Sequence, residues 1–269
     1  MPSGFGTLVP DMPEVSVMRI IRFLYQQREY WGAVEGQTVR FLAEPPFVRI
    51  RFSRRRCAGN AIRLLVPATA SKIVLVGLNY RDHAAELGMP LPEEPVLFLK
   101  PPSALVAAGG LIRYPAAAGR VDYEAELALV IRRRIRRIKP AQAEGAVFGY
   151  TCLNDVTARD LQKRDGQWTR AKSFDTFCPV GPWVDTRFSP DCARIRAVRN
   201  GITVQDSSTA HFVFPIPYLV SYISSIMTLL PGDIISTGTP PGVGPLQPGD
   251  TIAVDIEGLG ILRNRVARR

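Results

Sequence analysis

Histidine is scarce in this chain, with two in 269 residues, and the four cysteines, Cys57, Cys152, Cys178 and Cys192, stand far apart without a CxxC pair. Such a supply argues against a zinc site and against a disulfide framework, and a reducing cytoplasm is the expected setting. No apolar run reaches the length of a membrane span, and the opening MPSGFGTLVPDMPEV lacks the basic-then-apolar order of a signal peptide. The expectation is a soluble, cytoplasmic protein with no membrane partner. A GxSxG nucleophile elbow is missing, and GTPPGVGP at 238–245 lacks the GK[ST] of a phosphate-binding loop. There is no internal repeat and no low-complexity tract.

What is present is an ordinary globular balance, 46% hydrophobic and 22% charged, in a chain long enough for one large domain or for a domain with a small appendage. The formal charge of +10, from 34 Lys and Arg against 24 Asp and Glu, raises nucleic acid, a membrane surface or an anionic substrate as partners. The densest basic run, IRRRIRRIKP at 131–140, has no interleaved aromatics and reads as a solvated hairpin end. No nucleic-acid partner is expected, and a basic nucleic-acid-binding β protein is kept as the alternative from another class.

Residues 1–17 read as a Pro- and Gly-rich extension. MRIIRFLY, YWGAVEG and QTVRFL predict a small antiparallel sheet, with a boundary near residue 70. Beyond it KIVLVGLNY is a buried strand, RDHAAELG a short helix, and VLFLKPPSALV more strand. PAQAEGAVFGYTCLNDV predicts a helix leading into a strand. In IPYLVSYISSIMTLLPGD a helix should place Leu219, Ile223, Ile226 and Leu230 on one face before Pro231 and Gly232 stop it. Strands dominate and helices are few and short, so the fold class is mostly β with short helices (α+β).

The stretch VDYEAELALVI, 121–131, carries Asp122, Glu124 and Glu126 at alternate positions, which one strand puts on one face. At an effective dielectric near 20, two carboxylates about 6 Å apart repel by roughly 3 kcal/mol, so a solvated face would be the ordinary explanation. Ala128 and Val130 continue that face as apolar residues, however, which turns it inward and calls for a cation or a shared proton.

A hard divalent ion prefers oxygen ligands, and two or three convergent carboxylates suffice for it. Glu124 and Glu126 supply two. Asp155, at the end of an apolar strand in GYTCLNDVTARDLQ, is the best third candidate, although it could equally cap the helix that follows. His83 stands three residues before Glu86, so on a helical turn a carboxylate could fix the imidazole tautomer of a general base; a surface pair on a loop is the plainer alternative. Lys172, flanked by aromatic and apolar residues in RAKSFDTF, could stabilise an oxyanion or simply be solvated. His211 has no partner at metal spacing and reads as local structure or as part of a cleft wall.

Taken in order, VGLNYRDHAAE, VDYEAELALVI, GYTCLNDVTARDLQKRDGQWTRAKSFDTFCPVGP, QDSST and GDIISTGTPPGVG resemble the fumarylacetoacetate hydrolase family over roughly residues 70 to 250. The resemblance implies a catalytic domain over 70–269 with a mixed β-roll or sandwich, a small N-terminal β domain over 18–69, and commonly a homodimer. It implies Mg²⁺ or Mn²⁺ held by Glu124, Glu126 and Asp155, and a mobile lid carrying His83 and Glu86. The family's active-site lysine falls on Lys172 and its substrate- or water-positioning glutamine on Gln162. Thr239 would contact the substrate carboxylate, with Arg81 as a further substrate-binding residue. The implied substrate is a 2-oxo (di)carboxylic acid, processed through an enolate by hydrolysis of an acylpyruvate or decarboxylation of oxaloacetate, with isomerisation or tautomerisation behind them. Two departures stand out: residues 1–17 look like an addition, and His211 lies where a smaller or acidic residue is expected. Asp122 takes no assigned role and is placed at the solvent end of its strand.

Overall fold

The structure is a computed structural model that describes residues 18–47 and 49–268; the extension expected over 1–17 lies outside them. A large mixed sheet runs through the molecule. Its order from one edge is Phe52–Ala58, Thr38–Leu42, Arg28–Glu35, Arg19–Tyr25, Cys178–Asp185, Val147–Asn154, Ala125–Ile131, Ile234–Ser236, Ile73–Gly77 and Val96–Lys100. Three of the first four strands are the antiparallel set expected near the N-terminus, Phe52–Ala58 adds a fourth at the edge, and the set joins the rest where Arg19 pairs with Asp185. A second, five-stranded sheet is formed by Ile202–Ser208, Arg194–Arg199, Thr251–Ile256, Gly260–Arg268 and Leu111–Tyr114. The α-helices of the described residues are short: α1 Arg81–Glu86, α2 Arg159–Asp165, α3 Thr169–Lys172 and α4 Ile216–Ile226. None is long and apolar enough to cross a membrane. The mostly β class with short helices is thus what the chain adopts.

The strand Ala125–Ile131 shows why its sequence is apolar at nearly every position. Leu127, Leu129 and Ile131 pack into the core shared with Ile195, Val254 and Leu262 of the second sheet. Ala128 and Val130, on the other side, pack into a core with Trp31, Phe47 and Phe148. A strand covered on both faces has no use for polar alternation. VDYEAELALVI is also not one strand. Val121–Tyr123 pairs with Thr157–Ala158 and Gly244–Leu246 in a small three-stranded sheet, whereas Ala125–Ile131 belongs to the large one. Glu124 sits at the junction.

Some local expectations change. The helix predicted in PAQAEGA is two 3₁₀ turns, Pro140–Gln142 and Glu144–Ala146, since proline and glycine in so short a segment leave no room for a full α-helical run. The α4 helix ends at Ile226, which is exposed, and its buried face is Ile216, Leu219, Val220 and Ile223. Leu230 lies past the helix in the turn that Asp233 organises, where its backbone N–H donates to the Asp233 carboxylate at 2.8 Å. The basic run is mostly exposed, as expected, but it is anchored: Ile135 is buried and bridges to Leu229, and Arg136 donates to the Ser224 and Ser225 carbonyls of α4.

Candidate active site

Antiparallel pairing between Ala125–Ile131 and Val147–Asn154 sets Glu126 opposite Leu153 and Ala125 opposite Asn154. Just beyond, the Asp155 N–H donates to the Glu124 carbonyl at 2.9 Å, and the Glu124 N–H donates to the Asn154 side-chain oxygen at 3.0 Å. Two chain segments about thirty residues apart are thereby clamped where both leave the sheet, and the carboxylates of Glu124, Glu126 and Asp155 converge. One ligand oxygen from each lies within 4.8 Å of the others, and all three residues are buried.

Every acid of the cluster has a counter-group. Lys172, at the end of α3 and 2% exposed, brings Nζ to 3.0 Å from Glu124 and 2.5 Å from Asp155. Its Nζ also lies over the Phe98 ring, 4.8 Å from the centroid. Lys100, fully buried at the end of VLFLK, sits 2.6 Å from Asp155 Oδ1 and donates to the Val156 and Phe177 carbonyls. Arg159, on α2, spans Asp122, Glu124 and Gln162. Glu126 accepts from the Ser236 hydroxyl and from the Gly238 N–H at 3.0 Å. Gly238 has a φ of +90°, and a Cβ there would lie 2.9 Å from the Asn79 Cβ, so the close approach requires glycine.

Electrostatics separates the two glutamates. Burial pushes Glu124 up, but Lys172 and Arg159 reverse this and hold it at about 2. Glu126 is raised well above the usual carboxylate range, first by burial and then by Asp155 and Glu124 beside it. Burial opposes the charge on Lys172, and Asp155 and Glu124 outweigh it, raising the ammonium's pKa. The site therefore holds a strongly ionised carboxylate beside one whose proton affinity is raised. The donor set is all oxygen, and Asp155 Oδ1 is buried without a well-aligned hydrogen bond. These features suit a hard divalent cation, which would relieve the crowding that raises Glu126.

The cluster lines a cavity of about 370 Å³. Its walls include Val76, Leu78, Phe98 and Trp168, and His83, Gln162 and Thr239 also line it. His83 Nδ1 lies 2.8 Å from Glu86, whose other oxygen accepts from the Gly242 N–H at 2.9 Å. With Nδ1 donating to a carboxylate, Nε2 is the basic nitrogen. The α1 helix carrying the pair is tied down by Ser207 on Asp82 and by Asn79, which bridges the Phe214 backbone and the Thr237 carbonyl.

The structure thus brings seven of the expected residues to one cavity: Glu124, Glu126, Asp155, Lys172, His83, Gln162 and Thr239, with Glu86 behind His83. Arg81 is placed elsewhere. Its guanidinium donates to the Phe212 carbonyl, since the helical turn that points His83 inward points Arg81 outward. The arginine that does line the cavity is Arg159. Asp155 does not cap α2, whose N-cap is Ala158 with no side-chain cap. Lys172 is buried rather than solvated. Asp122 is not at a solvent end: it is 1% exposed and accepts from Arg120 at 2.7 Å and from Arg159 at 2.9 Å, which fixes the guanidinium that reaches Glu124. Thr239 Oγ1 donates to the Ala125 carbonyl and accepts from Gln205, so its proton is committed to the backbone. His211 is exposed on a 3₁₀ turn, Thr209–His211, and lines no part of this cavity. Lys100 and Arg159 escaped the sequence reading; a lysine ending an otherwise apolar strand, and an arginine between Asp155 and Gln162, were the available clues.

Comparison with known proteins accounts for nearly the whole chain. The family model described as fumarylacetoacetate (FAA) hydrolase C-terminal matches residues 72–267, and that described as Rv2993c-like, N-terminal matches residues 18–67. Protein Rv2993c of Mycobacterium tuberculosis is 47% identical over 94% of this chain and 99% of its own length. Bovine oxaloacetate tautomerase FAHD2A, mitochondrial, is 43% identical over 77% of this chain and 70% of its own. The crystal structure of 2-hydroxyhepta-2,4-diene-1,7-dioate isomerase from Mycobacterium marinum, 44% identical, superposes with a TM-score of 0.88 over 94% of this chain and 99% of that one.

Proposed function

This chain belongs to the fumarylacetoacetate hydrolase family, and from that premise we propose that it is a divalent-metal enzyme that moves a proton on a 2-oxo acid, as a tautomerase or isomerase. One observation carries the reading: a carboxylate-oriented imidazole, His83 on Glu86, lines the same cavity as the buried triad of Glu124, Glu126 and Asp155. The names borne by the bovine and M. marinum relatives support proton transfer over bond cleavage.

Mg²⁺ or Mn²⁺ would be held by Glu124, Glu126 and Asp155 and would supply Lewis acidity toward the 2-oxo carboxylate end of a substrate. Lys172 holds its positive charge beside that end, where negative charge develops on the 2-oxygen. His83 Nε2 takes the proton from the 2-hydroxyl of the enol and delivers it to carbon 3 for tautomerisation, or to carbon 5 of a conjugated dienol for isomerisation, leaving the 2-oxo acid in each case. Gln162, held by Arg159 at 2.6 Å, orients the substrate. Hydrolysis of an acylpyruvate is the second reading, because the same His83 and Glu86 pair could deprotonate a water. Decarboxylation of oxaloacetate needs no base. A homodimer is part of the proposal, supported by exposed Leu87, Met89, Leu91, Val96 and Leu99 along one segment.

The test is a panel of enolised oxaloacetate, 2-hydroxyhepta-2,4-diene-1,7-dioate and acetylpyruvate with Mg²⁺, following enol absorbance, pyruvate and CO₂. Loss of the enol signal without pyruvate or CO₂ is expected, and His83→Ala should lower that rate by about 10²- to 10⁴-fold. Pyruvate without CO₂ would favour hydrolysis; CO₂ release that survives His83→Ala would favour decarboxylation. Salt-sensitive RNA binding with no metal effect would sink the enzymatic reading altogether.

A further inference from the structure

Gln205, the first residue of the QDSST segment, lies on Ile202–Ser208 at the edge of the five-stranded sheet and is only 2% exposed. Pairing with Arg194–Arg199 passes from Ala197 opposite Gln205 to Val198 opposite Thr203, so Val204 is the extra residue of a β-bulge beside it. A bulge re-aims the neighbouring side chain, and Gln205 reaches out of its own sheet to the large one. Its Oε1 accepts from the Ala125 N–H at 2.9 Å, and its Nε2 donates to Thr239 Oγ1 at 2.9 Å and to the Pro240 carbonyl at 2.7 Å. These partners fix which way the amide faces, since a backbone N–H can only donate and a carbonyl can only accept.

The contacts fall where the large sheet runs out of strand. Ile234–Ser236 pairs with Ala125–Ile131 only from Val130 to Ala128. Past that point the Leu127 carbonyl accepts from the Thr237 N–H and hydroxyl. Both backbone groups of Ala125 are then taken by side chains, the N–H by Gln205 and the carbonyl by Thr239 Oγ1 at 2.9 Å. Ala125 stands between Glu124 and Glu126, so its two peptide groups set the directions in which those carboxylates leave the chain. The same amide holds the loop at Thr239 and Pro240, next to Gly238, whose N–H reaches Glu126. Gly242, at a φ of +92°, lets this loop lie against the bulge, because a Cβ there would be 2.3 Å from the Val204 carbonyl oxygen.

We propose that Gln205 is a positioning residue of this enzyme: its amide takes the place of the missing strand and holds Ala125, between two metal ligands, in one geometry with Thr239 of the cavity wall. The inference rests on the metal-enzyme reading above and adds to it the group that keeps the ligands and the loop in register. Among the described residues Gln205 donates to or accepts from Ala125, Thr239 and Pro240 alone, so it acts on the carboxylates through the backbone that carries them.

Isothermal titration with Mg²⁺ alone, well below the melting temperature of every variant, separates positioning from stability. Gln205→Met removes all three hydrogen bonds at similar volume and should weaken Mg²⁺ binding by about tenfold, the lower end of what groups supporting metal ligands contribute. Gln205→Glu keeps an acceptor for the Ala125 N–H but sets a carboxylate against Thr239 Oγ1 and the Pro240 carbonyl. It should hold Mg²⁺ at least as tightly as the wild type, while kcat on the best acid of the panel above falls by about tenfold. Ile195→Val, which loosens the buried core of the same sheet, should lower stability and leave both quantities within about twofold. Unchanged Mg²⁺ affinity in Gln205→Met, or an equal loss of it in Gln205→Glu or Ile195→Val, overturns the positioning role. So does a wild-type kcat in Gln205→Glu, which can be read even if Gln205→Met does not fold. A wild type that binds no Mg²⁺, or turns over no acid of the panel, overturns instead the enzymatic reading beneath it.

Discussion

Replacing Lys172 by methionine removes the cation that Glu124 and Asp155 share while nearly conserving side-chain volume. Breaking one side of a buried ion pair costs about 3–5 kcal/mol, because the remaining charge is stranded without water or partner. Here Lys100 still faces Asp155 and Arg159 still reaches Glu124, which places the expected loss at the lower end, near 3 kcal/mol. For a chain of this size about 1 kcal/mol corresponds to roughly 2–4 °C in Tm, so the metal-free variant should melt roughly 6–12 °C below the wild type. A divalent ion on the same carboxylates would restore the missing charge, and ligand at a hundredfold excess over its Kd adds about 2.7 kcal/mol. Without the competing ammonium the variant should bind Mg²⁺ more tightly than the wild type and gain more from it, so the gap between them should narrow as Mg²⁺ is titrated into a thermal or urea melt. A variant as stable as the wild type without metal would refute the ion-pair argument. An identical gap with and without Mg²⁺ would refute the overlap between the lysine's partners and the metal ligands.

Further expectations concern the two glutamates. Without metal, Glu126 holds its proton above the usual carboxylate range, so stability should fall as pH rises from about 4.5 toward its raised folded value. Glu124, held at about 2, contributes stability that is present above its ordinary value and lost as pH falls toward 2. Urea melts across pH report both. Metal binding must displace the Glu126 proton, so Mg²⁺ affinity should increase with pH, and calorimetry in buffers of different ionisation enthalpy should show proton release; pH-independent affinity would count against Glu126 as a ligand. Ser236→Ala removes the hydroxyl that donates to Glu126 and should destabilise by about 0.5–1.5 kcal/mol in chemical denaturation, the net contribution of one hydrogen bond, because the Gly238 N–H still donates to the same oxygen.

How far the sequence is legible depends on whether a residue acts through its neighbours in the chain. Alternation in VDYEAELALVI, with Ala128 and Val130 on the acidic side, was enough to say that the acids turn inward, because strand geometry fixes which side chains share a face. The i, i+3 spacing of His83 and Glu86 was likewise enough for a pair, since one helical turn sets their separation. Ordered motifs extended this to Asp155 and to the family. Lys100 and Arg81 lay beyond such reasoning: the first reaches Asp155 from a strand 55 positions earlier in the chain, and the second turns away on the same helix that directs His83 inward.

By itself, then, the sequence determined the strand-rich class and the inward-facing carboxylates, both of which follow from local periodicity. Tertiary structure decided the rest. It split the acidic stretch at Glu124 between two sheets, buried Asp122 as the brace of Arg159, and gave Glu124 and Glu126 opposite proton affinities. Each of these depends on which distant segments pair in the sheet, and charge and burial are properties of the assembled neighbourhood rather than of the strand that carries the residue.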